Sequence, residues 1–291
     1  MSTPSKSILV TGASSQIGHF LLPRLAAAGF SVQAVSRQPP ESAEPGIHWH
    51  RCDIEAGVLP DLSLAGAIHL APLPLLPQLL PQLAERGVKR VIGFGSTSRF
   101  TKAGSADPAE RAYAADLQRA EAAIAEFCEP RDIAWTVFRP TLIYGCGRDR
   151  NVTAIARLVR RFRFFPLIGG AGGLRQPVHA DDLAAACLAA WDNRAAFNRA
   201  YDLSGAEVLR YRAMVERIFA AEGLPPRFLP VPLALFRAGV KLLSLLPRYR
   251  YLSAAMADRM IADLTFDHAA AAADFGYRPR SFQPPAVGRT G

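Results

Sequence analysis

The stretch Ile8-Leu-Val-Thr-Gly-Ala-Ser-Ser-Gln-Ile-Gly18 lies near the start of the chain. Its apolar first half predicts a strand, and its last residues begin a helix predicted to run from Gln16 to Ala28. Gly12 allows a tight turn between the two elements, and Gly18 lets the helix pack closely on the strand. Backbone N–H groups at the start of such a helix bind phosphates. The motif therefore predicts a dinucleotide site formed by Gly12, Ser14, Ser15, Gln16, Ile17 and Gly18.

Ser15 occupies the place of the middle glycine of such turns. The exchange predicts slightly less room for a diphosphate, but it adds a hydroxyl that could bind one. A strand-to-helix turn without a ligand is the alternative interpretation of the motif.

Short apolar segments alternate with helical ones over the first 140 residues. The predicted strands are Ser7–Val10, Ser31–Ser36, Ala67–Leu70, Lys89–Phe94 and Ala134–Phe138, and a long helix is predicted from Pro108 to Phe127. This alternation is typical of βαβ units. It predicts an α/β fold, a Rossmann-type doubly wound parallel sheet whose ligand lies at the carboxyl ends of the strands.

The sequence changes character after Tyr144, where a loop rich in glycine and arginine precedes an arginine-bearing helix predicted to end near Phe165. A helix over Asp181–Asp192 and a strand over Ala200–Leu203 then return to the sheet. We therefore predict a dinucleotide-binding domain, with a small and mostly helical C-terminal substrate lobe beside it. The domain comprises residues 1–146 and 176–204, and the lobe comprises residues 147–175 and 205–291.

The segment Leu235–Leu246 is almost entirely apolar, with Arg237 and Lys241 as its charges. It could lie on a membrane surface. A lobe helix that covers the pocket is the favoured interpretation, because no cluster of lysines flanks the segment.

The composition excludes several classes of protein. The chain has 291 residues, of which 50% are apolar and 20% are charged, so it can bury a core. No stretch approaches the roughly 20 uninterrupted apolar residues of a spanning helix, and no secretory segment is recognised at the N-terminus. Its 4 cysteines lack the spacing of a zinc site or a disulfide framework. We expect a soluble protein of the reducing cytoplasm, without a metal site.

The net charge of +9 comes almost wholly from arginine, since Lys6, Lys89, Lys102 and Lys241 are the only lysines. The planar guanidinium suits phosphates and carboxylates. The arginines form no basic platform with aromatic residues and no recognition helix, so an anionic small molecule is favoured over nucleic acid. A codon bias without functional content would also explain them.

The end of the second predicted strand, Val35-Ser36-Arg37, indicates which cofactor is bound. An acidic residue at this place selects the ribose 2′-hydroxyl of NAD, whereas an arginine accommodates the 2′-phosphate of NADP. NADP is therefore favoured over NAD, with a solvated loop arginine as the alternative. Asp53, which Ile54 follows, could accept a hydrogen bond from the adenine amino group or cap a helix.

Several motifs, in order along nearly the whole chain, carry a family resemblance. They are Thr11-Gly12-x-x-Ser15-x-x-Gly18, Ile68-His-Leu70-Ala71, Phe94-Gly-Ser-Thr97-Ser, Arg139-Pro140-Thr-Leu-Ile-Tyr144-Gly, Arg175-Gln-Pro-Val-His179-Ala-Asp-Asp182-Leu and Asp274-Phe-Gly-Tyr-Arg-Pro279. Together they resemble the NAD-dependent epimerase/dehydratase family, within the extended or atypical short-chain dehydrogenase/reductases. The resemblance implies that Leu70, Ala71 and Pro140 border the cofactor. It does not imply one reaction, because the fold hosts several.

The family's catalytic residues are a Ser or Thr after the strand that corresponds to Lys89–Phe94 here, and a Tyr-x-x-x-Lys on the next helix. The resemblance assigns these roles to Thr97 and Tyr113, but Leu117 occupies the place of the lysine. An ammonium four residues from the tyrosine favours the tyrosinate, and lowering a phenol pKa from about 10 to about 7 takes roughly 4 kcal/mol. Lys102, from the loop after the same strand, could replace that charge. A solvated loop lysine is the alternative.

The resemblance also suggests substrate contacts. It places Arg175 against a nucleotide diphosphate, and Asn151 is predicted to contact the substrate as well. A cluster of arginines at positions 157, 160, 161 and 163 could clamp phosphates or form a solvated helix face. His69 and His179 are interpreted as structural.

Two functions follow from these patterns. The first is an NAD(P)-dependent epimerase, dehydratase or reductase that moves a hydride to or from a nucleotide-linked sugar or a similar hydroxyl or carbonyl substrate. The second is a catalytically altered dinucleotide-binding protein, a sensor or an assembly subunit, which the exchange at Leu117 favours. Homodimers through the helix of Tyr113 are a family precedent.

Overall fold

Seven parallel strands form the central sheet of the computed structural model, which describes residues 7–40, 44–243 and 260–286. The strands are β1 (Ser7–Thr11), β2 (Ser31–Ser36), β3 (Ile47–Arg51), β4 (Gly66–His69), β5 (Arg90–Phe94), β6 (Ala134–Pro140) and β11 (Arg199–Leu203). Their order is β11-β6-β5-β4-β1-β2-β3. The order reverses between β1 and β4, and a crevice opens at such a switch point.

Helices cover both faces of this sheet, which confirms the predicted Rossmann-type doubly wound fold. The α-helices of the described ranges are α1 (Gln16–Ala27), α2 (Leu76–Glu85), α3 (Ser98–Thr101), α4 (Pro108–Cys128), α5 (Val152–Phe162), α6 (Ala180–Trp191), α7 (Tyr211–Ala221), α8 (Leu233–Leu243) and α9 (Ala269–Phe275). One core packs α1, α6 and α9 on the sheet, and a second packs α2 and α4 on the other face. Burial of both faces explains why the inner strands β1, β4 and β5 are mostly apolar.

The remaining strands are short and lie outside the central sheet. They are β7 (Ile143–Tyr144), β8 (Phe165–Ile168), β9 (Leu174–Arg175), β10 (Val178–His179), β12 (Leu209–Arg210) and β13 (Phe228–Val231). They pair as β7 with β10, β8 with β13 and β9 with β12. A third core joins α5, α7 and β8. The C-terminal lobe predicted as mostly helical thus also contains two small sheets.

The boundaries of α5 and α8 differ from the predictions. α5 ends at Phe162 rather than near Phe165, because Arg163 adopts a left-handed backbone conformation with φ 63° and stops the helix. α8 covers most of the predicted Leu235–Leu246 segment, whose last three residues lie outside the described ranges. No helix in the described ranges is long and apolar enough to cross a membrane.

Candidate functional site

A cleft of about 670 Å³ lies at the carboxyl ends of β1 to β4, and we call it the cofactor cleft. Nine of the predicted cofactor residues line it, namely Gly12, Ser14, Ser15, Ser36, Arg37, Asp53, Ile54, Leu70 and Ala71. Four separate strand ends contribute these residues. The topology therefore brings together positions that are far apart in the chain.

The glycine turn fits closely against the next strand end. Gly12 has φ +66°, and a Cβ on it would lie 2.6 Å from the backbone N of Ala71. A Cβ on Gly18 would lie 2.0 Å from the carbonyl oxygen of Ala13. No side chain can therefore replace either glycine without a backbone shift, and the cleft keeps an open floor of main-chain groups.

The hydroxyls of the turn are already engaged. Ser15 caps α1, since its Oγ accepts a hydrogen bond from the N–H of Gly18 at 3.2 Å. The Ser36 hydroxyl donates to that of Ser14 at 3.2 Å, and Arg148 donates to the Ser14 carbonyl at 3.2 Å. The Ser15 hydroxyl therefore caps α1, and its role toward a diphosphate stays a prediction. Arg148 links the glycine turn to the loop that follows β7.

Two arginines flank the ribose end of the cofactor cleft. Arg37 follows β2, and Arg51 ends β3 in register with Ser36. Both are exposed, and neither forms a salt bridge with the described residues. Asp53 lines the same cleft and caps the turn Ile54–Ala56 by accepting from the N–H of Glu55 at 3.1 Å. Sequence reasoning missed Arg51, because its place beside Ser36 depends on the pairing of β2 with β3.

Four predicted cofactor residues lie elsewhere. Ile17 points into the core beneath α1, and Gly18 packs its backbone on Ala13, so neither residue lines the cofactor cleft. Gln16 lines the second cleft described below, where its buried Oε1 has no hydrogen-bond partner among the described residues. Pro140 contacts Thr97 through its carbonyl oxygen.

His69 is a structural residue under the cofactor cleft, in line with its interpretation from the sequence. It is 1% exposed, and its Nδ1 lies 2.7 Å from the Thr11 hydroxyl while its Nε2 lies 3.1 Å from the Pro72 carbonyl oxygen. The carbonyl requires a proton on Nε2, so Nδ1 accepts from Thr11. Burial lowers the pKa of His69 to about 4, against a smaller opposing effect of the Pro72 hydrogen bond.

Protonation of His69 is expected to destabilise the fold in mild acid. The folded-state pKa of His69 lies below its ordinary value of 6.5. The contribution of neutral His69 to the free energy of unfolding is therefore complete above about pH 6.5, and about 3 kcal/mol of it is lost as the pH falls to 4. Urea unfolding of the wild type and of His69→Asn between pH 6.5 and 4 measures this loss of unfolding free energy. The wild type should lose about 3 kcal/mol more than the variant, and exposed His48→Asn is the control. Parallel curves for the wild type and His69→Asn would contradict the assignment.

A second cleft of about 700 Å³, which we call the substrate cleft, opens beside the first. The loops after β5 and β6 form one side, and α5, β8 and β9 form the other. Its cationic lining residues are Lys102, Arg150 and Arg175, and its hydroxyl-bearing ones are Ser96, Thr97, Ser98, Thr101 and Thr141, with Tyr211 as a phenol. This lining suits an anionic, hydroxyl-rich ligand.

Asn151 and Arg175, the two predicted substrate contacts, both line the substrate cleft. Arg175 is 4% exposed and is held by the carbonyl oxygens of Leu174 and Ala262 at 2.6 and 2.8 Å. Its guanidinium lies 5.4 Å from the ring centre of Tyr211. A guanidinium fixed in this way is preorganised for an anion.

Thr97 lies on the wall of the substrate cleft just after β5. It is 7% exposed, and its hydroxyl donates to the Pro140 carbonyl oxygen at 3.2 Å. The oxygen keeps lone pairs that can accept from a substrate hydroxyl, or the hydroxyl can turn to donate to a carbonyl. Ser96 and Ser98 flank it in the same lining.

Tyr113 does not line either cleft, and its side chain is 40% exposed. Its ring centre lies 5.3 Å from Nζ of Lys102, which lines the substrate cleft and lies 3.6 Å from Glu110. Desolvation raises the pKa of Tyr113. Leu117 is 1% exposed and belongs to the apolar core. Lys102 is therefore the cation beside Tyr113, and no charge occupies the lysine position of the family.

A buried ion-pair network fixes α4 behind the substrate cleft. Glu121 is 7% exposed and accepts from Arg139 at 2.6 Å and from Arg99. Arg139 also lies 3.5 Å from Asp202 on β11. Because these groups join α3, α4, β6 and β11, they hold the helix of Tyr113 against the strand ends.

The arginine cluster of α5 faces away from the substrate cleft. Arg157 donates to the carbonyl oxygen of Gly147 at 3.2 Å, and Arg160 pairs with Glu222 at 2.9 Å. Arg161 and Arg163 are exposed. These arginines do not line the substrate cleft, and the interpretation as a solvated face fits their positions.

His179 caps α6, since its Nδ1 accepts from the N–H of Asp181 at 3.1 Å. Its ring packs edge-on against Tyr144. Burial lowers its pKa, so the neutral ring that capping requires is favoured. This arrangement fits its interpretation as structural.

Comparisons with known proteins agree with this architecture. Residues 75–203 match the model of the NAD dependent epimerase/dehydratase family. Protein y4nG of Sinorhizobium fredii is 27% identical over 310 residues, which cover 94% of this chain and 75% of that protein. Subunit 9 of the mitochondrial NADH dehydrogenase 1 alpha subcomplex of Arabidopsis thaliana is 31% identical over 104 residues, 35% of this chain and 26% of that protein.

A solved structure resembles the whole chain. MoeE5 in complex with UDP-glucuronic acid and NAD superposes with a TM-score of 0.73 at 20% identity, covering 95% of this chain and 94% of that one. At this identity the likeness establishes the fold. Over residues 75–203 the chain thus matches the model of the NAD-dependent epimerase/dehydratase family, in agreement with the family resemblance seen in its motifs.

Proposed function

We propose that the protein binds NADP and catalyses hydride transfer at a hydroxyl-bearing carbon of a nucleotide-linked sugar or similar substrate, as an epimerase, dehydratase or reductase. The junction of the two clefts is the observation that carries this proposal. Ser15 lines the cofactor cleft and the adjacent Gln16 lines the substrate cleft. A dinucleotide on the glycine turn would therefore end beside the hydroxyl-rich wall around Thr97.

The cofactor fits the residues present. The turn at Gly12 offers main-chain N–H groups without a Cβ in the way. At the ribose end Arg37 and Arg51 leave two guanidinium groups free for a 2′-phosphate, and the β2 end carries no carboxylate to select a 2′-hydroxyl. These features favour NADP over NAD. We expect the protein to act in the cytoplasm.

Replacing Arg37 with Ala is expected to weaken NADPH binding about 10- to 100-fold, because charge-assisted hydrogen bonds to the 2′-phosphate are lost. NADH binding should change little. Titration of nicotinamide fluorescence with both cofactors measures this difference. Arg119→Ala, at an exposed position on α4, is the matched control. An equal loss for NADH and NADPH would contradict the choice of NADP.

The chain's own groups perform distinct tasks in the proposed reaction. Bound NADP supplies the hydride acceptor or donor. Arg175 and Arg150 neutralise the phosphates of the substrate, and Thr97 orients the reacting oxygen. Tyr113 exchanges the proton, with Lys102 as the neighbouring cation in place of the missing lysine. Tyr113 lies outside the lining of the substrate cleft. The bound substrate must therefore extend from the wall around Thr97 to the hydroxyl of Tyr113.

A binding module without chemistry is the second function with its own support. The lysine position is an apolar core residue, Leu117, and Tyr113 is partly exposed. The local similarity to a subunit of NADH dehydrogenase adds to this support. Such a protein would hold the dinucleotide as a sensor or as a subunit of an assembly, and the family precedent of a homodimer applies to both functions.

One experiment separates the two functions. The purified chain is titrated with NADPH and NADH and then screened against nucleotide-linked sugars for a change in nicotinamide absorbance and for product. Turnover with at least one of these substrates supports the enzyme. Tight binding without turnover across the panel supports the binding module, and absence of binding to either cofactor contradicts both.

A further inference from the structure

An exposed group of arginines and phenylalanines at the end of α5 is not used by either cleft. All five residues from Arg160 to Phe164 are exposed. Phe162 and Phe164 keep 52% and 39% of their surface exposed, and their ring centres lie 6.2 Å apart. Grouped apolar side chains on a surface mark an interaction site.

The sheet of β8 and β13 extends this group. Phe165 pairs with Phe228, and Leu229 pairs with Pro166. Because side chains alternate along strands, Arg227 and Leu229 lie on the face opposite to that of Phe228. Leu229 is 52% exposed, and Arg227 is exposed as well. The arginine–phenylalanine surface, as we name it, consists of Arg161, Phe162, Arg163, Phe164, Arg227 and Leu229.

The charges of this surface are unneutralised. Arg161, Arg163 and Arg227 form no salt bridge within the part of the chain that the structure describes, whereas the adjacent Arg160 is held by Glu222. Guanidinium groups bind the phosphates of anionic lipids, and neighbouring phenyl and leucyl side chains enter the boundary between headgroups and acyl chains.

We propose that the arginine–phenylalanine surface binds the anionic face of a phospholipid bilayer. A second copy of the chain is a poorer occupant, because a twofold contact would bring the same arginines together. The aliphatic Leu229 suits acyl chains. Because Phe162 and Phe164 also offer rings for stacking on bases, preferential binding of a single-stranded oligonucleotide over anionic vesicles would overturn the proposal. Phe165 and Pro166, next in the chain, line the substrate cleft. Docking on this surface therefore places the mouth of that cleft near the bilayer.

Flotation of the full chain with vesicles tests the proposal. The vesicles contain phosphatidylcholine alone or with phosphatidylglycerol, and we expect binding that requires phosphatidylglycerol and weakens with salt. Since each arginine near an anionic surface contributes about a fivefold factor, R161Q/R163Q/R227Q should lower the partition coefficient about a hundredfold. F162S/F164S should lower it at least about tenfold.

The control variant carries the same charge change elsewhere, R119Q/R131Q/R194Q, at three exposed positions. It should bind vesicles within about twofold of the wild type. Thermal unfolding and NADPH titration show that each variant is folded. Equal losses in the control and the arginine variant would overturn the proposal, because overall charge alone would then drive adsorption. Unchanged binding in either surface variant, or absence of binding to phosphatidylglycerol vesicles, would overturn it too.

Discussion

Placing the family's lysine back into this chain, by Leu117→Lys, is expected to unfold the protein rather than restore a catalytic pair. Leu117 is 1% exposed and belongs to the core between α4, α2 and the sheet, together with Leu73 and Ile124. The nearest carboxylate along the helix, that of Glu121 four residues on, is already paired with Arg99 and Arg139. A buried ammonium without a partner costs several kcal/mol, so we expect the free energy of unfolding to fall by about 4 kcal/mol or more.

Urea denaturation followed by circular dichroism measures this loss. Gln118→Lys, on the exposed side of the same helix, adds the same charge and should change stability by less than about 0.5 kcal/mol. If Leu117→Lys were as stable as Gln118→Lys, the lysine would have reached solvent or the cleft. The position would then have to be reassigned to the cofactor side of α4.

The central sheet could be predicted because its signals are local. Each strand is a short apolar run followed by a turn, and the glycine motif at Gly12 joins strand to helix in a spacing that few other structures require. Ser31–Ser36 was predicted with the observed bounds. Because the strands are parallel, their carboxyl ends meet at one edge of the sheet, and nine predicted residues therefore line one cleft. The structure shows this cleft.

The position of Tyr113 could not be predicted from its spacing to Leu117 and Glu121. Residues four apart on a helix are offset by about 40°, so eight residues rotate the side chain by about 80°. The structure shows the result, since Glu121 and Leu117 are buried while Tyr113 is 40% exposed. The spacing in the motif suggests that these three positions share one face of the helix. In the packed helix Tyr113 lies on a different face from Glu121.

The orientation of α5 was predictable, although the prediction left it open. Asn151, Ala154, Ile155 and Leu158 recur at helical spacing and all line the substrate cleft. Arg157 and Arg160 are rotated by more than about 100° from the middle of this face, so they lie on the other side of the helix. The place of Arg51 could not be predicted from local spacing, because it depends on the long-range register of β3 with β2.

Thr97→Val is expected to lower turnover about a hundredfold or more, with cofactor affinity unchanged. Valine keeps the shape of the side chain, and it removes the hydroxyl that donates to the Pro140 carbonyl oxygen and that can orient a reacting oxygen. Thr97→Ser retains the hydroxyl and should keep most of the activity. Single-turnover measurement of nicotinamide absorbance with a substrate found by screening gives the rate. Equal rates for the valine and serine variants would remove Thr97 from the reaction.

Tyr113→Phe tests whether Tyr113 donates the proton or only matches the family motif in sequence. If Tyr113 exchanges the proton, its loss should reduce the rate by about 100- to 10,000-fold. Because desolvation raises the pKa of Tyr113, the phenol is protonated at neutral pH and would act first as an acid. Lys102→Met should then lower the rate and move the alkaline limb of the pH–rate profile upward, since the neighbouring cation favours the tyrosinate. A rate that Tyr113→Phe leaves unchanged would show that the proton comes from another group of the substrate cleft, whose hydroxyls surround Thr97.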